Sequence, residues 1–339
     1  MTHLSPCPPP SPPASGRGVS EHLPARIAAG GPVSVADYMA AANAHYYATR
    51  DPLGASGDFT TAPEISQMFG ELVGAALADV WSRAGPPSDA VYAELGPGRG
   101  TLAADALRVM RGAGFAGDVH FVETSPALRQ AQAIAVPGAR FHDRIEELPP
   151  RPLLLAANEF FDALAVEQWV GDEQRRVAHD GTGFAFTVDG DVRETSPQRD
   201  AAAAALATHL ARHGGVAIVI DYGYSGGETG DTLQAVRGHA FSDPLADPGE
   251  ADLTAHVDFA ALAKAARGCA VSRVVSQGNW LETLGIGARA SALAARNPGQ
   301  TEAIGAARRR LCDEAEMGRL FKVIGLRHPG WPAIAGHEP

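Results

Sequence analysis

The sequence predicts an α/β protein in which helices alternate with the strands of a mostly parallel sheet. In the stretch VYAELGPGRGT, residues 91–101, an apolar run leads through glycines at every second position into a helix-forming segment. This pattern is typical of a strand, a tight loop and a helix. Two further segments, PLLLAA at 152–157 and VAIVI at 216–220, are apolar on both faces, as central parallel strands are.

The other elements follow from apolar periodicity and capping residues. Ser34 is predicted to cap a helix that runs to about Tyr47, and Pro63 to begin a second helix with one apolar face. Alternating apolar and polar residues at 167–195 predict short antiparallel strands. Further patterns predict helices at 102–111, 199–212, 257–267, 280–295 and 302–317, and strands at 120–125, 139–142, 270–276 and 320–326.

Composition divides the chain into four predicted segments. These are a disordered Pro/Ser-rich tail at 1–32, a helical and loop element at 33–88, the main domain at 89–330 and a C-terminal tail at 331–339. The main domain would carry insertions at about 167–195 and 223–256. The second insertion is rich in glycine and aspartate, which predicts loops that cover a site.

The charge and the cysteines exclude several classes of function. A net charge of −11 over 339 residues argues against a general nucleic-acid binder, which needs basic patches. The three cysteines are odd in number and unpatterned, so we expect neither a disulfide framework nor a cysteine-based metal site, and a reducing compartment is the default. No apolar run is long enough to span a bilayer, so membrane insertion is not expected.

The glycine loop is predicted to hold a nucleotide-like ligand, because Gly96, Gly98 and Gly100 let the backbone approach it closely. Thr101 then opens a helix whose free N–H groups face the same place. The third glycine of the dinucleotide fingerprint would fall on Thr101, so that fingerprint is absent. Glu94, at the strand end, suits a ligand with a cationic amino-acid end and no phosphate, which describes S-adenosylmethionine. A simple turn is the alternative.

Acids at the ends of the next two strands are further candidates for this ligand. Glu123 ends the second strand some twenty residues beyond the glycines, where a carboxylate usually accepts the hydroxyl hydrogens of a ribose. Asp143 follows the third strand and is an adenine-edge candidate by its register alone. A surface role for Asp143 is the alternative.

The fourth strand delivers Asn158, Glu159, Phe160, Phe161 and Asp162 to the carboxyl edge of the sheet, where open α/β sheets place their ligands. Two acids three residues apart, separated by two aromatic residues, predict a reactive site. The alternative interpretation is that Glu159 caps the next helix and the phenylalanines belong to the core.

The fifth strand ends in Asp221 and Tyr222, which the same edge rule would bring to this site.

Six stretches together resemble a class I S-adenosylmethionine-dependent methyltransferase, and more narrowly the MidA family, related to the mitochondrial complex I assembly-factor arginine methyltransferase. They lie between about residues 40 and 330 and read RDPLGASGDFTTAPEISQMFGELVG, ELGPGRGT, NEFFDAL, IDYGY, GDTLQAV and ADLTAHVDF. The resemblance implies a doubly wound, seven-stranded, mostly parallel Rossmann-like sheet with an N-terminal helical element and an inserted β/loop cap.

The resemblance implies S-adenosyl-L-methionine as the cofactor, with Glu94, Gly96, Gly98, Gly100 and Glu123 binding it and Glu159 and Asp162 facing the acceptor. With the candidates from the strand ends and the N-terminal segment added, and with no metal expected, the predicted site consists of three groups of residues. The cofactor-binding set is Glu94, Gly96, Gly98, Gly100, Thr101, Glu123, Asp143 and Asn158, and the catalytic pair is Glu159 and Asp162. The substrate or cap set is Asp58, Thr60, Thr61, Glu64, Gln67, Phe160, Phe161, Asp221 and Tyr222. The family's leucine-proline after the second acid reads Leu164-Ala165 here, a departure that leaves both acids in place.

For the mitochondrial relatives the resemblance implies an arginine of a respiratory complex I subunit as substrate. Two carboxylates can grip two guanidinium nitrogens and orient the third for methyl transfer, with the phenylalanines excluding water. Three alternatives stay open: a non-catalytic assembly scaffold, a nicotinamide oxidoreductase and a small-molecule methyltransferase. The expected location is the cytoplasm for a bacterial-type chain and the mitochondrial matrix for a eukaryotic one. The oligomeric state is open, with a homodimer among the alternatives.

Overall fold

The computed structural model describes residues 19–49, 60–227 and 230–337. Its helices are α1 (Val19–Gly30), α2 (Val35–Thr49), α3 (Ala62–Ile65), α4 (Gln67–Arg83), α5 (Thr101–Gly112), α6 (Pro126–Ala135), α7 (Pro197–His213), α8 (Phe259–Ala265), α9 (Gln277–Thr283), α10 (Ile286–Arg296), α11 (Thr301–Cys312) and α12 (Met317–Leu320).

The strands are β1 (Val33–Ser34), β2 (Val91–Leu95), β3 (Val119–Val122), β4 (Arg140–His142), β5 (Leu153–Asn158), β6 (Glu167–Val170), β7 (Glu173–His179), β8 (Phe184–Phe186), β9 (Val192–Thr195), β10 (Gly215–Tyr224), β11 (Gln234–Arg237), β12 (Ala240–Ser242), β13 (Asp252–Thr254), β14 (Val257–Asp258), β15 (Ala270–Val271), β16 (Val275–Ser276) and β17 (Phe321–Arg327). No helix in the described ranges is long and apolar enough to cross a membrane.

A largely parallel sheet forms the centre of the molecule, which confirms the predicted α/β class. Its order is β15-β17-β10-β5-β2-β3-β4, with β14 pairing with β10 and β16 with β17, nine strands in all. The strands from β10 to β4 are parallel to one another, while β17 runs antiparallel to β10. The carboxyl ends of the parallel strands therefore meet at one edge, where Leu95 lies level with Ala157, and Asn158 with Ile220.

Helices bury the two faces of this sheet in separate apolar clusters. Tyr92, Leu154 and Ile218 point to one face, which α4, α5 and the C-terminal helices cover. Val91, Leu155 and Val219 point to the other face, which α7 and α8 cover. Alternation along each strand sends neighbouring residues to opposite faces, which is why runs apolar throughout form the central strands.

A third apolar cluster joins α1 and α2 to the inserted strands. Strands β1, β7, β6 and β9 form an antiparallel sheet with β8 beside β7, which fits the antiparallel strands predicted for 167–195. The structure corrects the predicted tail, because residues 19–30 are a helix. Val19, Leu23 and Ile27 recur every four residues, and all three are buried against α2 and the inserted sheet.

Several predicted boundaries also change. The helix expected from Pro63 breaks at Ser66, whose hydroxyl accepts a hydrogen bond from the N–H of Met68 and caps α4. The strand predicted at 270–276 is two short pieces, β15 and β16, both antiparallel to β17. Strands β12, β11 and β13 pair within the predicted loop insertion, and α11 ends at Cys312, short of its predicted end.

Candidate active site

The loop after β2 has the backbone conformation that its glycines predict. Gly96, Gly98 and Gly100 have φ angles of 59°, 55° and 83°, all in the left-handed region that favours glycine. A Cβ at Gly96 would lie 3.2 Å from the ring of Phe160, and one at Gly100 would lie 3.2 Å from the Cβ of Ala135. Side chains at these two positions would crowd their neighbours, so the loop needs glycine there, and it leads directly into α5.

Glu94 lies beneath this loop as a buried acid. Its side chain is 2% exposed, and its Oε2 accepts a hydrogen bond from the hydroxyl of Tyr92 at 2.6 Å. Burial raises the pKa of Glu94 to about 8, although the Tyr92 hydrogen bond opposes this. A positive charge bound next to Glu94 would stabilise its ionised form, which burial alone disfavours.

Glu123 is held in place at the end of β3. Its Oε1 accepts a hydrogen bond from the backbone N–H of Ser125 at 2.7 Å, and its Oε2 accepts one from Gln132 at 3.2 Å. Gln132 also donates to the carbonyl oxygen of Gly98 at 2.7 Å, so one amide joins the predicted ribose acid to the glycine loop. Burial raises the pKa of Glu123, and these hydrogen bonds lower it in part.

Sequence reasoning missed Gln132, although a signal was present. It lies four residues after Leu128 on the buried face of α6, where a polar residue needs a partner.

Two other predicted cofactor residues have partners in the protein. Asp143 has a side chain that is 68% exposed and forms an ion pair with Arg129 at 2.6 Å. Thr101, the first residue of α5, donates its hydroxyl hydrogen to Glu64 at 2.5 Å. Glu64, from the N-terminal segment, is therefore in contact with the start of the loop helix.

Glu159, the first predicted catalytic acid, follows β5 in a strained conformation. Its φ of 52° is in the left-handed region, which costs a non-glycine residue about 1–3 kcal/mol and is often found at functional sites. Its Oε1 accepts hydrogen bonds from Asn158 at 3.1 Å and from the N–H of Ala62 at 3.4 Å. Burial and then the charge of Asp162 raise the pKa of Glu159 to about 8.

Asp162, the second acid, is buried beside it. Its Oδ2 accepts the hydroxyl hydrogen of Tyr222 at 2.5 Å. Its Oδ1 is buried and has no hydrogen-bond partner among the described residues, and the same is true of Oδ1 of Asn158. Burial raises the pKa of Asp162. Buried polar atoms without partners are uncommon, and here two of them lie within the motif that predicts a ligand.

Asp221 supports the turn that carries these acids. It is 0% exposed, and its Oδ2 accepts hydrogen bonds from the N–H groups of Phe161 at 3.0 Å and Asp162 at 3.2 Å. Arg199 grips the same turn from α7 by donating to the carbonyl oxygens of Phe161 and Asp162. The sequence prediction included Asp221 but missed Arg199, which stands in an alanine-rich helix without a motif around it.

Tyr47 and Asp252 are two further residues that sequence reasoning missed. The hydroxyl of Tyr47 donates to Oδ1 of Asp252 at 2.8 Å, and the carbonyl oxygen of Tyr47 accepts a hydrogen bond from Ser125 at 2.9 Å. These bonds bring the end of α2 and the insertion strand β13 to the site.

Some predicted residues do not face the acids. Phe161 is 0% exposed and belongs to the core beneath α7 and α8, which corrects its predicted contact with a ligand. Phe160 is partly exposed and packs edge-on against Phe161, with ring centroids 5.3 Å apart. Gln67 is exposed and donates to Glu71, away from the acids.

Thr60 and Thr61 are partly buried just before α3, whereas Asp58 lies outside the described residues. The described parts of the chain contain no cluster of metal-ligating side chains.

Comparison with known proteins identifies the family. The model of the S-adenosyl-L-methionine-dependent methyltransferase family Methyltransf_28 matches residues 72–188 and 175–276. The mitochondrial protein arginine methyltransferase NDUFAF7 homologue of Drosophila melanogaster is 36% identical over 95% of this chain and 87% of its own. The chain belongs to the S-adenosyl-L-methionine-dependent methyltransferases.

Other relatives agree with this methyltransferase assignment. NDUFAF7 of Danio rerio is 34% identical over 83% of this chain and 80% of its own. A crystal structure of a Burkholderia thailandensis protein bound to S-adenosylhomocysteine has a TM-score of 0.82 and 25% identity, covering 94% of each chain. A second structure from the same organism has a TM-score of 0.79 and 26% identity.

The methyltransferase family uses S-adenosyl-L-methionine as its cofactor, and the residues of this chain fit that molecule. The left-handed glycine loop leaves room for close approach, and the buried carboxyl group of Glu94 would become ionised beside an ammonium group and pair with it. Glu123 would accept the hydroxyl hydrogens of the ribose, with Gln132 keeping its carboxylate oriented. When bound, the cofactor supplies a sulfonium methyl group. The family assignment replaces the nicotinamide oxidoreductase alternative.

Proposed function

We propose that this methyltransferase modifies an arginine side chain of a protein substrate, with Glu159 and Asp162 holding the guanidinium group. The observation that supports this most is the pair of acids at the carboxyl end of β5, a partly buried Glu159 and a buried Asp162, of which Asp162 has an oxygen without a partner among the described residues. The relatives from Drosophila melanogaster and Danio rerio, which carry the name protein arginine methyltransferase, support the same substrate class.

The chemistry of the guanidinium group explains why a pair of acids would bind it. Arginine stays protonated in proteins, so the group arrives with a positive charge and five N–H donors. Two carboxylates can accept hydrogen bonds from two of the guanidinium nitrogens. The third nitrogen is then directed towards the loop that holds the cofactor. The methyl group leaves the sulfonium, which becomes a neutral thioether, and joins that nitrogen, which then releases one proton to an ionised acid of the pair or to water. The acids also stabilise the positive charge that develops on the nitrogen, so the protein mainly provides alignment and a favourable field.

The low solvent exposure of the acids makes the site selective for a positively charged substrate. In the free protein the pKa of Glu159 is about 8, so near neutral pH its carboxyl group is largely protonated. A guanidinium beside it would favour ionisation, because an opposite charge within a few ångströms lowers the pKa of a carboxyl group. A neutral acceptor would gain no such charge pairing and would leave the carboxyl group of Glu159 largely protonated.

Methyl transfer by matched variants tests this proposal. The purified chain is incubated with S-adenosyl-L-methionine and arginine-containing peptides, and methylarginine is detected by mass spectrometry after acid hydrolysis. We expect Glu159→Gln and Asp162→Asn to reduce transfer at least about 100-fold, while calorimetric affinity for S-adenosyl-L-methionine changes less than about threefold. Glu302→Gln on the exposed face of α11 is the control. Full turnover by Glu159→Gln would reject the catalytic role of Glu159, whereas the absence of methylarginine with the wild type would favour the scaffold alternative.

The finer features of the chain are part of the same proposal. We infer that the seven strands along the main sheet order are the doubly wound sheet of class I methyltransferases and that the catalytic domain covers about 89–330.

The protein substrate would be a subunit resembling those of respiratory complex I. The relatives' mitochondrial names support the matrix as the location if the chain is eukaryotic, with the cytoplasm as its bacterial counterpart. Pull-down of complex I subunits by the full chain tests the partner.

A further inference from the structure

The small sheet formed by β12, β11 and β13 carries one row of side chains from the acid site to the surface. Val236 on β11 lies opposite Phe241 on β12 and opposite Asp252 on β13. Residues directly opposite each other in antiparallel strands point to the same face of the sheet. Asp252, Val236 and Phe241 therefore form a continuous row, named here the insertion row.

The inner end of the insertion row adjoins the two acids. Asp252 is 4% exposed and accepts the hydroxyl hydrogen of Tyr47, and its charge contributes to the raised pKa of Glu159. Thr254, two residues further on the same face, lies near Tyr222, whose hydroxyl donates to Asp162. This face of the small sheet is thus one wall of the site.

The outer end of the insertion row is apolar and open. Phe241 is 78% exposed, and Val236 is partly exposed beside it. The turn between their strands has φ angles of 55° at Gly238 and 62° at His239, the left-handed pair of a tight type I′ hairpin. That turn fixes the backbone of Phe241 within a paired strand. A single exposed aromatic residue is ordinary, but this one continues a row that begins at the acids.

The geometry points to the insertion row as the docking surface for the extended substrate segment that carries the target arginine. This inference rests on the proposed function. Neighbouring strands are about 4.8 Å apart, so Val236 and Phe241 lie about 5 Å and about 10 Å from Asp252, a range that contains the length of two extended residues, about 7 Å. The acids attract the positive arginine, while Val236 and Phe241 would cover an apolar side chain about two residues away from it.

Two peptides separate docking from the chemistry. Each is a glycine peptide with one central arginine, carrying either leucine or serine two residues away on both sides. Binding to the full chain in the presence of saturating S-adenosylhomocysteine is measured by calorimetry, and methylarginine formation with S-adenosyl-L-methionine by mass spectrometry. We expect the wild type to bind the leucine peptide about fivefold more tightly, the factor for partial burial of leucine side chains.

Phe241→Ser should abolish this preference and leave binding of the serine peptide unchanged. Ile134→Ser is the matched control, because Ile134 on α6 is 82% exposed and lies outside the insertion row, so this variant should keep the preference. Equal binding of both peptides by the wild type overturns the docking surface. So does a preference that survives in Phe241→Ser, or the absence of binding by either peptide.

Methyl transfer distinguishes a failure of docking from a failure of the arginine proposal. If both peptides are methylated equally by the wild type and by Phe241→Ser, the arginine chemistry stands and the docking surface is wrong. If the leucine preference in binding depends on Phe241 but methylarginine never forms, the docking surface stands and the proposed reaction fails.

Discussion

Tyr222 donates its hydroxyl hydrogen to Oδ2 of Asp162 at 2.5 Å, across the junction between the end of β10 and the turn after β5. The ring of Tyr222 is fixed edge-on between Phe321, at a centroid distance of 5.4 Å, and His256, at 5.6 Å. Because the tyrosine is held by packing, it orients the carboxylate of Asp162 and leaves its Oδ1 available for a ligand.

Tyr222→Phe keeps this packing and removes only the hydrogen bond. Hydrogen bonds to charged groups contribute about 1.5–3 kcal/mol, so we expect the rate of methyl transfer to fall about 10- to 100-fold. Affinity for S-adenosyl-L-methionine should change less than about twofold, because Asp162 is not among the cofactor-binding residues. Initial rates and calorimetry measure the two quantities.

Tyr38→Phe is the control for loss of a tyrosine hydroxyl, because Tyr38 donates to the carbonyl oxygen of Pro244 at 2.9 Å, a bond that does not involve the acid pair. Its rate should stay near that of the wild type. An unchanged rate in Tyr222→Phe, or a parallel loss of cofactor affinity, would contradict the orienting role.

Gln132→Leu tests the amide that joins Glu123 to the glycine loop. The variant loses the bonds to Oε2 of Glu123 and to the carbonyl oxygen of Gly98, so the predicted ribose acid loses one of its restraints. We expect affinity for S-adenosyl-L-methionine to fall about 10-fold, which corresponds to about 1.4 kcal/mol. Calorimetric titration with the cofactor measures the change.

Gln130→Leu, an exposed position on the same helix, should bind the cofactor as the wild type does. If both variants bind alike, Gln132 is only a structural residue of α6.

Local patterns predicted the parts of the site that lie at strand ends. Glu94, Glu123 and Glu159 each follow a short apolar run, and the parallel register of β2, β3 and β5 brings such ends to one edge of the sheet. That rule needs only the order of elements along the chain. It therefore works without knowledge of any side-chain contact.

The missed residues depend on contacts that local patterns do not contain. Tyr47 meets Asp252, which is 205 positions away, and Arg199 grips carbonyl groups 37 and 38 positions earlier. Helix α1 was missed for a related reason. Pro24 and the proline-rich residues before the helix suggested disorder, while its three buried side chains gain their stability only from packing on α2 and the inserted sheet.

The raised pKa of Glu159 predicts a pH dependence for methyl transfer. Burial and then the charge of Asp162 hold this pKa at about 8, and the guanidinium of arginine does not titrate in this range. Only the ionised acid pairs fully with the substrate, so kcat/KM should rise about tenfold per pH unit below pH 8 and level off above it. Initial rates between pH 6 and 9.5 on an arginine peptide provide the profile.

Asp162→Asn supplies the internal check on this profile. Removing the neighbouring negative charge should lower the pKa of Glu159 and move the rising limb to lower pH, even though the overall rate falls. A limb that does not move in Asp162→Asn would assign the titration to another group.

Gly74→Ala tests the close contact between α4 and α5. This contact positions α5, the helix that follows the glycine loop. A Cβ at Gly74 would lie 2.5 Å from both the Cα and the carbonyl oxygen of Ala106, so the two helix backbones would have to separate. Overpacking of this kind typically costs about 1–3 kcal/mol of the free energy of unfolding. Urea denaturation followed by circular dichroism measures the loss.

Gly112→Ala is the matched change at the end of α5, where no described atom beyond the neighbouring residues and backbone of the same helix lies within 4 Å of the added Cβ. There we expect stability to stay equal or to increase by up to about 1 kcal/mol, because alanine favours the helix more than glycine does. The contrast between the two glycines isolates backbone contact from helix propensity. If the two substitutions had equal effects on stability, the backbones of α4 and α5 would not be in close contact at Gly74 and Ala106.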